Sequence, residues 1–125
     1  MGPEAKLYQK VRKNSKGIIW TRLENLSSLG NPDVLGYNTF GTFFTVELKV
    51  TRGNKLKFSP HQIAFHKTHP KNTFIIAEGH GPRSSKLIQM YRGSRITELE
   101  ASGLKLKALC VGLAACSLML QKLGA

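Results

Sequence analysis

Acidic residues are scarce in this chain: seven Asp and Glu stand against nineteen Lys and Arg, a formal net charge of +12 over 125 residues. Cysteine is nearly missing too. Cys110 and Cys116 lie six apart in one apolar stretch, with no CxxC pair and no histidine beside them. That pattern excludes a disulfide framework and a zinc cluster, and it reads as two small buried hydrophobes in a reducing compartment. Long hydrophobic runs are also lacking. The longest, Ala108 to Leu120, has thirteen residues and is interrupted by Gly112 and Ser117, too short to cross a bilayer. Met1 to Ser15 is polar and basic without an apolar centre, so no secretory leader is expected and the cytoplasm is the expected compartment. There is no internal repeat, zinc finger or recognition helix, and the length suits one domain over 1–125.

What is abundant is positive charge, and it is clustered. Lys6, Lys10, Arg12, Lys13 and Lys16 form one group, with Arg22 a little further on; Arg52, Lys55 and Lys57 form another. Such an excess repels itself unless a polyanion is the partner, and nucleic acid is the commonest soluble one. Contacts of this kind grip phosphates without reading bases, so selection is expected from DNA shape. The plainer alternative is a merely basic, soluble protein. Neither a small-molecule substrate nor a membrane is expected.

Hydrophobic spacing predicts a first helix over about Glu4 to Lys13, with Leu7, Tyr8 and Val11 on one side. Strands follow at Ile18 to Leu23, at Val34 to Tyr37 and at Gly41 to Lys49, the last two forming a hairpin about the turn Asn38 to Thr42. After a basic turn, Thr51 to Lys57, the run Ser59-Pro60-His61-Gln62 starts a helix to about His69, with Ser59 and Gln62 as a capping box. Strands at Thr73 to Glu78 and Lys86 to Tyr91, a short helix at Ser94 to Ala101 capped by Ser94 or Thr97, and an apolar helix over 104–123 complete the order. The class is α/β, a mixed central sheet flanked by helices. The last helix carries Leu109, Val111, Leu113, Leu118 and Leu120 around its circumference, so it is expected to be covered by a partner copy, giving a homodimer, the alternative being burial wholly within its own domain.

The scarce carboxylates fall in a telling place. Along the third strand Phe44, Val46, Leu48 and Val50 point one way and Thr45, Glu47, Lys49 and Thr51 the other. Two residues of strand span roughly 6.6 Å, so Glu47 and Lys49 can serve one small site, and Asp33, following Pro32, is the natural third member. The plain alternative is a solvated strand face with a cross-strand ion pair. His61, His66 and His69 do not form a zinc pattern and read as helix surface or phosphate contacts.

Pro32-Asp33, thirteen intervening residues, then Glu47-Leu48-Lys49 resemble the PD-(D/E)XK nuclease signature, and the basic turn with the SPHQ helix resembles its virus-type replication-repair (VRR-NUC) branch. Size and charge resemble archaeal and phage Holliday junction resolvases. The resemblance implies a restriction-endonuclease-like core and a Mg²⁺-dependent DNA endonuclease, Mn²⁺ substituting, encoded by a microbe or by a phage acting in host cytoplasm. It implies metal ligands at Asp33, Glu47, the Leu48 carbonyl and Glu4, and catalytic roles for Lys49 and Gln62. Hard oxygen ligands suit Mg²⁺, which keeps several waters. Glu24, close in sequence to Asp33, competes with Glu4 as the third acidic group. Each has a plainer reading: Glu4 favours the helix dipole, Glu24 a surface pair, and Gln62 the cap alone.

Overall fold

The computed structural model describes residues 2–23 and 32–125. In chain order its elements are α1 (Pro3–Asn14), β1 (Ile19–Arg22), β2 (Val34–Tyr37), β3 (Phe43–Arg52), α2 (Pro60–Thr68), β4 (Thr73–His80), β5 (Lys86–Arg92), α3 (Ile96–Ser102), β6 (Cys110–Val111) and α4 (Leu113–Lys122). The strands form one mixed sheet in the order of the chain. Only β3 and β4 run parallel, from Thr45↔Thr73 to Arg52↔His80; parallel neighbours need a crossover, and α2 supplies it.

Two cores sit on the two faces of this sheet. On one, Leu7 and Val11 of α1 and Cys116 and Leu120 of α4 pack on Val34, Phe44, Val46, Leu48, Phe74 and Ile76. On the other, Ile75, Ala77 and Tyr91 meet Phe58, Ile96, Leu99 and Leu104 from the connecting segments and α3. The second core draws on β4 and β5 but not on β1 or β2. Ile19 and Phe43 therefore stay 66% and 59% exposed, and the register Ile19↔Tyr37↔Phe43 sets them on the same open face as Glu47.

The expected helix over 104–123 is not one helix. A 3₁₀ turn at Gly103–Lys105 leads to an extended stretch, the edge strand β6, and α4 only from Leu113. The reason is topological: Leu104, Leu106 and Ala108 pack in the second core, whereas Leu109, Cys110 and Leu113 pack in the first. The chain must round the sheet edge between them, which a straight helix cannot do. It is held there by Leu109 N–H on Met90 O (2.8 Å) and Gly112 N–H on Ile88 O (2.7 Å). Gly112, at φ +92°, then breaks strand from helix. The shortened α4 lays Cys116, Ser117 and Leu120 inward and leaves Leu118 exposed, as is Val111 on β6. The helix expected at Ser94 also starts later: a 3₁₀ turn at Gly93–Arg95 precedes α3, and neither Ser94 nor Thr97 caps it.

Both cysteines are free, Cys116 buried and Cys110 half-buried. Among the described residues, no helix is long and apolar enough to cross a membrane.

Candidate active site

The β2–β3 hairpin positions the site. Its turn is held by Asn38, whose Oδ1 accepts from Phe40 N (3.0 Å) and Thr42 N (3.1 Å) while Nδ2 donates to the carbonyls of Leu120 and Leu123 at the end of α4. From the pair Asn38 N–H on Thr42 O, hydrogen-bonded pairs recur on every second residue of an antiparallel ladder. The next beyond Val34↔Val46 falls on Pro32 and Leu48. Proline has no N–H, so the Leu48 carbonyl gets no strand donor from it. The Leu48 N–H is taken instead by Asp33, whose Oδ2 accepts at 2.7 Å. The Pro-Asp dipeptide thus ends the ladder, plants a carboxylate beside Glu47 and frees a carbonyl next to both.

Helix α2 closes the other side. The Ser59 cap and its capping box with Gln62 form as the sequence predicts: Ser59 Oγ accepts from Gln62 N (3.1 Å), and Gln62 Oε1 accepts from Ser59 N (2.9 Å). That bond fixes which way the amide points. Gln62 Nε2 donates to Glu47 Oε2 at 3.0 Å, and Lys49 Nζ approaches Gln62 Oε1 at 3.5 Å. The Lys49 ammonium also lies 5.1 Å from the centroid of the Phe58 ring, a cation–π contact. Gln62 is therefore both helix cap and bridge between Glu47 and Lys49.

The carboxyls sit in an environment that resists their charge. Burial first, and the neighbouring Glu47 second, push Asp33 up to about 7, against the opposing pull of the Leu48 N–H and Lys49. Burial likewise raises Glu47, partly offset by a hydrogen bond from Asp33 and by Lys49. These are the directions of two neighbouring carboxyls that compete for one proton.

The donor set fits a small hard cation. Gln62 occupies one oxygen of Glu47; the other, Oε1, is buried without a hydrogen-bond partner. Leu48 N–H occupies one oxygen of Asp33. One oxygen from each carboxylate and the Leu48 carbonyl would be the groups to hold an ion such as Mg²⁺, which needs few protein ligands because it keeps its waters. Among the described residues, no group of three or more His, Cys, Asp or Glu is arranged to hold a metal.

Other expected residues fall elsewhere. Glu4 is exposed in the first turn of α1. That helix packs on the sheet face bearing Phe44, Val46 and Leu48, so Glu4 is not brought to Asp33 and Glu47. Glu24 lies outside the described residues. Lys10, expected on DNA, is turned inward: its Nζ lies 2.6 Å from buried Glu78 Oε2, and His80 Nε2 holds the other oxygen at 2.8 Å. Lys6, Lys13 and Lys16 are exposed on or just after α1, while Arg12 and Arg22 lie 5.9 and 5.5 Å from the Tyr8 ring centroid. Arg52, Lys55 and Lys57 are exposed at the end of β3 and in the loop beyond it.

His66, read from sequence as helix surface, is instead completely buried. Burial, then the nearby His69, holds it down to about 4, so the ring is neutral. Its position was discoverable: it follows Gln62 by four residues, one helical turn on the same face.

No family model matches the sequence, and no curated protein does. Among solved structures the chain is similar to Archaeoglobus fulgidus Hjc, a Holliday junction resolvase from an archaeal hyperthermophile, at 15% identity and a TM-score of 0.42 over 71% of this chain and 72% of that one.

Proposed function

We propose that the chain is a Mg²⁺-dependent DNA endonuclease of the PD-(D/E)XK kind, with Mn²⁺ able to substitute, acting as a homodimer that cuts four-way junctions in symmetric pairs. The observation that carries this reading is the meeting of Asp33 and Glu47 beside a Leu48 carbonyl without a strand donor, with Lys49 next to them on the open face of the sheet. Cutting a phosphodiester requires charge neutralisation at phosphorus and an activated water, and a bound divalent ion supplies both. Asp33, Glu47 and the Leu48 carbonyl would hold that ion. Lys49, steadied by Gln62 and the Phe58 ring, would hold the attacking water or take its proton.

Selection of a branched substrate is supported by what surrounds the site. Exposed cations lie on both faces of the sheet, on α1 and around the loop after β3, and such contacts grip backbone rather than bases. Paired cuts require paired sites, which a two-fold dimer supplies. Exposed Val111 on β6 and Leu118 on α4 are apolar side chains available for it, as are Ile19 and Phe43 on the other part of the sheet.

The test is incubation of labelled duplex, flap and four-way junction with Mg²⁺, using Asp33→Asn and Lys49→Ala as controls. Symmetric paired nicks on the junction, abolished by Asp33→Asn while junction affinity stays nearly intact, are expected. Cutting of every substrate alike would reduce the reading to a general nuclease. Binding with no cutting would leave a non-catalytic DNA-binding protein.

A further inference from the structure

The segment 103–108 that rounds the sheet edge carries Lys105 and Lys107, two cations with no part in the site described so far. It is held firmly. Leu104 N–H donates to Asn54 O at 2.8 Å, and the Tyr91 hydroxyl donates to Leu106 O at 2.9 Å. With Leu104 buried and Leu106 half-buried in the second core, the two lysines between and after them are exposed.

Lys105 lines a groove of about 850 Å³ together with Lys55, Lys57 and Phe58. Lys107 lines a smaller cavity of about 200 Å³ with Arg92 and Arg95. Phe58 belongs both to the groove wall and to the Lys49 contact, so one ring joins the groove to the candidate active site. The acids on this face are already engaged. Glu100 accepts from Phe58 N at 2.8 Å, and Glu98 is held by Arg95 at 2.7 and 2.6 Å. Among the described residues, Lys55, Lys57, Lys105 and Lys107 have no acidic partner. Three of these ammoniums, Lys55, Lys57 and Lys105, line a groove that holds one carboxylate, Glu100, and Lys107 lines a second cavity with Arg92 and Arg95; such an excess of like charge calls for an external polyanion.

We infer that this groove binds the phosphate backbone of a DNA arm leading away from the scissile bond, with Lys105 and Lys107 extending the track begun by Lys55 and Lys57. The inference rests on the nuclease reading for its choice of DNA. Backbone contacts of this kind release condensed counterions and read no bases.

The experiment measures affinity for a four-way DNA junction, and for an RNA duplex of equal length, in EDTA across a series of salt concentrations. The variants are Lys105→Gln with Lys107→Gln, which keep the aliphatic stems over the core, and Lys122→Gln on α4 as a control away from the groove. The expected result is a fall of about two in the slope of log K against log[salt] for the DNA junction, roughly 0.9 per lost contact, with no change in the control. A slope unchanged in the double variant overturns the inference, as does an affinity and slope loss confined to RNA. Because this readout contains no cleavage, it is independent of the Asp33→Asn result: a chain that binds by this groove but never cuts would refute the nuclease reading alone.

Discussion

His66 Nε2 stands 3.9 Å from Glu47 Oε1, and among the described residues neither atom has a hydrogen-bond partner. The distance is too long for a hydrogen bond, so the neutral ring acts as a wall behind the carboxylate. The ring is itself wedged by Gly93: a Cβ there would lie 2.4 Å from His66 Nδ1 and 2.6 Å from Thr73 Oγ1. Gly93→Ala therefore pushes the ring toward Glu47. Overpacking of this type costs about 1–3 kcal/mol, and urea denaturation should show a loss of that size with an unchanged m-value.

Asp33 and His66 together give an unusual pH profile. A carboxyl raised from 3.8 to about 7, as Asp33 is, contributes stability present below 3.8 and lost as pH rises toward 7. A histidine lowered from 6.5 to about 4, as His66 is, contributes stability present above 6.5 and lost as pH falls toward 4. Between about pH 4 and 6.5 the two slopes oppose each other, each at most about 1.4 kcal/mol per pH unit. Metal-free wild type should thus show a shallow dependence. Asp33→Asn should turn it toward rising stability with pH and His66→Leu toward falling stability, read by thermal melts from pH 4 to 7.

Gln62 combines two roles that substitution can separate. Glutamate at this position keeps the capping box, because its carboxylate can still accept from Ser59 N, but it cannot donate to Glu47. Gln62→Glu should leave helix α2 intact and lower cleavage at pH 7 by roughly two orders of magnitude, the size typical of a lost positioning or acid–base contact. Gln62→Ala loses the box as well and should cost a further ~1 kcal/mol in stability. If Gln62→Glu cleaves like wild type, Gln62 is a cap alone.

Lys10 and Lys13 are neighbours on α1 with different fates. Burial works to raise the Glu78 carboxyl, but the hydrogen bonds from His80 and Lys10 outweigh it and hold it below the usual value. Lys10→Ala removes one of those bonds and should lower stability by about 1–3 kcal/mol, while the salt dependence of DNA binding stays unchanged. Lys13→Ala, exposed and without an acidic partner among the described residues, should do the reverse.

What sequence disclosed was local. The alternation around Glu47 and Lys49, the hairpin and the Ser59–Gln62 cap all follow from neighbours in the chain, and each forms as the spacing dictates. The failures concern contacts between distant segments. Lys10 reads as one more surface cation until β4 brings Glu78 under it, 68 residues away. The apolar run after residue 104 reads as a helix because periodicity cannot reveal that its first half serves one core and its second half the other. The alternation Leu104-Lys105-Leu106-Lys107 was the signal available, period two rather than 3.6.

On the proposed reading, Asp33 and Glu47 give up one proton between them to hold a divalent ion. Calorimetric titration of Mn²⁺ into the protein at pH 6.5, in two buffers of different ionisation enthalpy, measures both affinity and protons released. One saturable site releasing about one proton per ion is expected, with binding abolished by Glu47→Gln and proton release abolished by Asp33→Asn. Binding that survives both substitutions, or that releases no proton in the wild type, would contradict it.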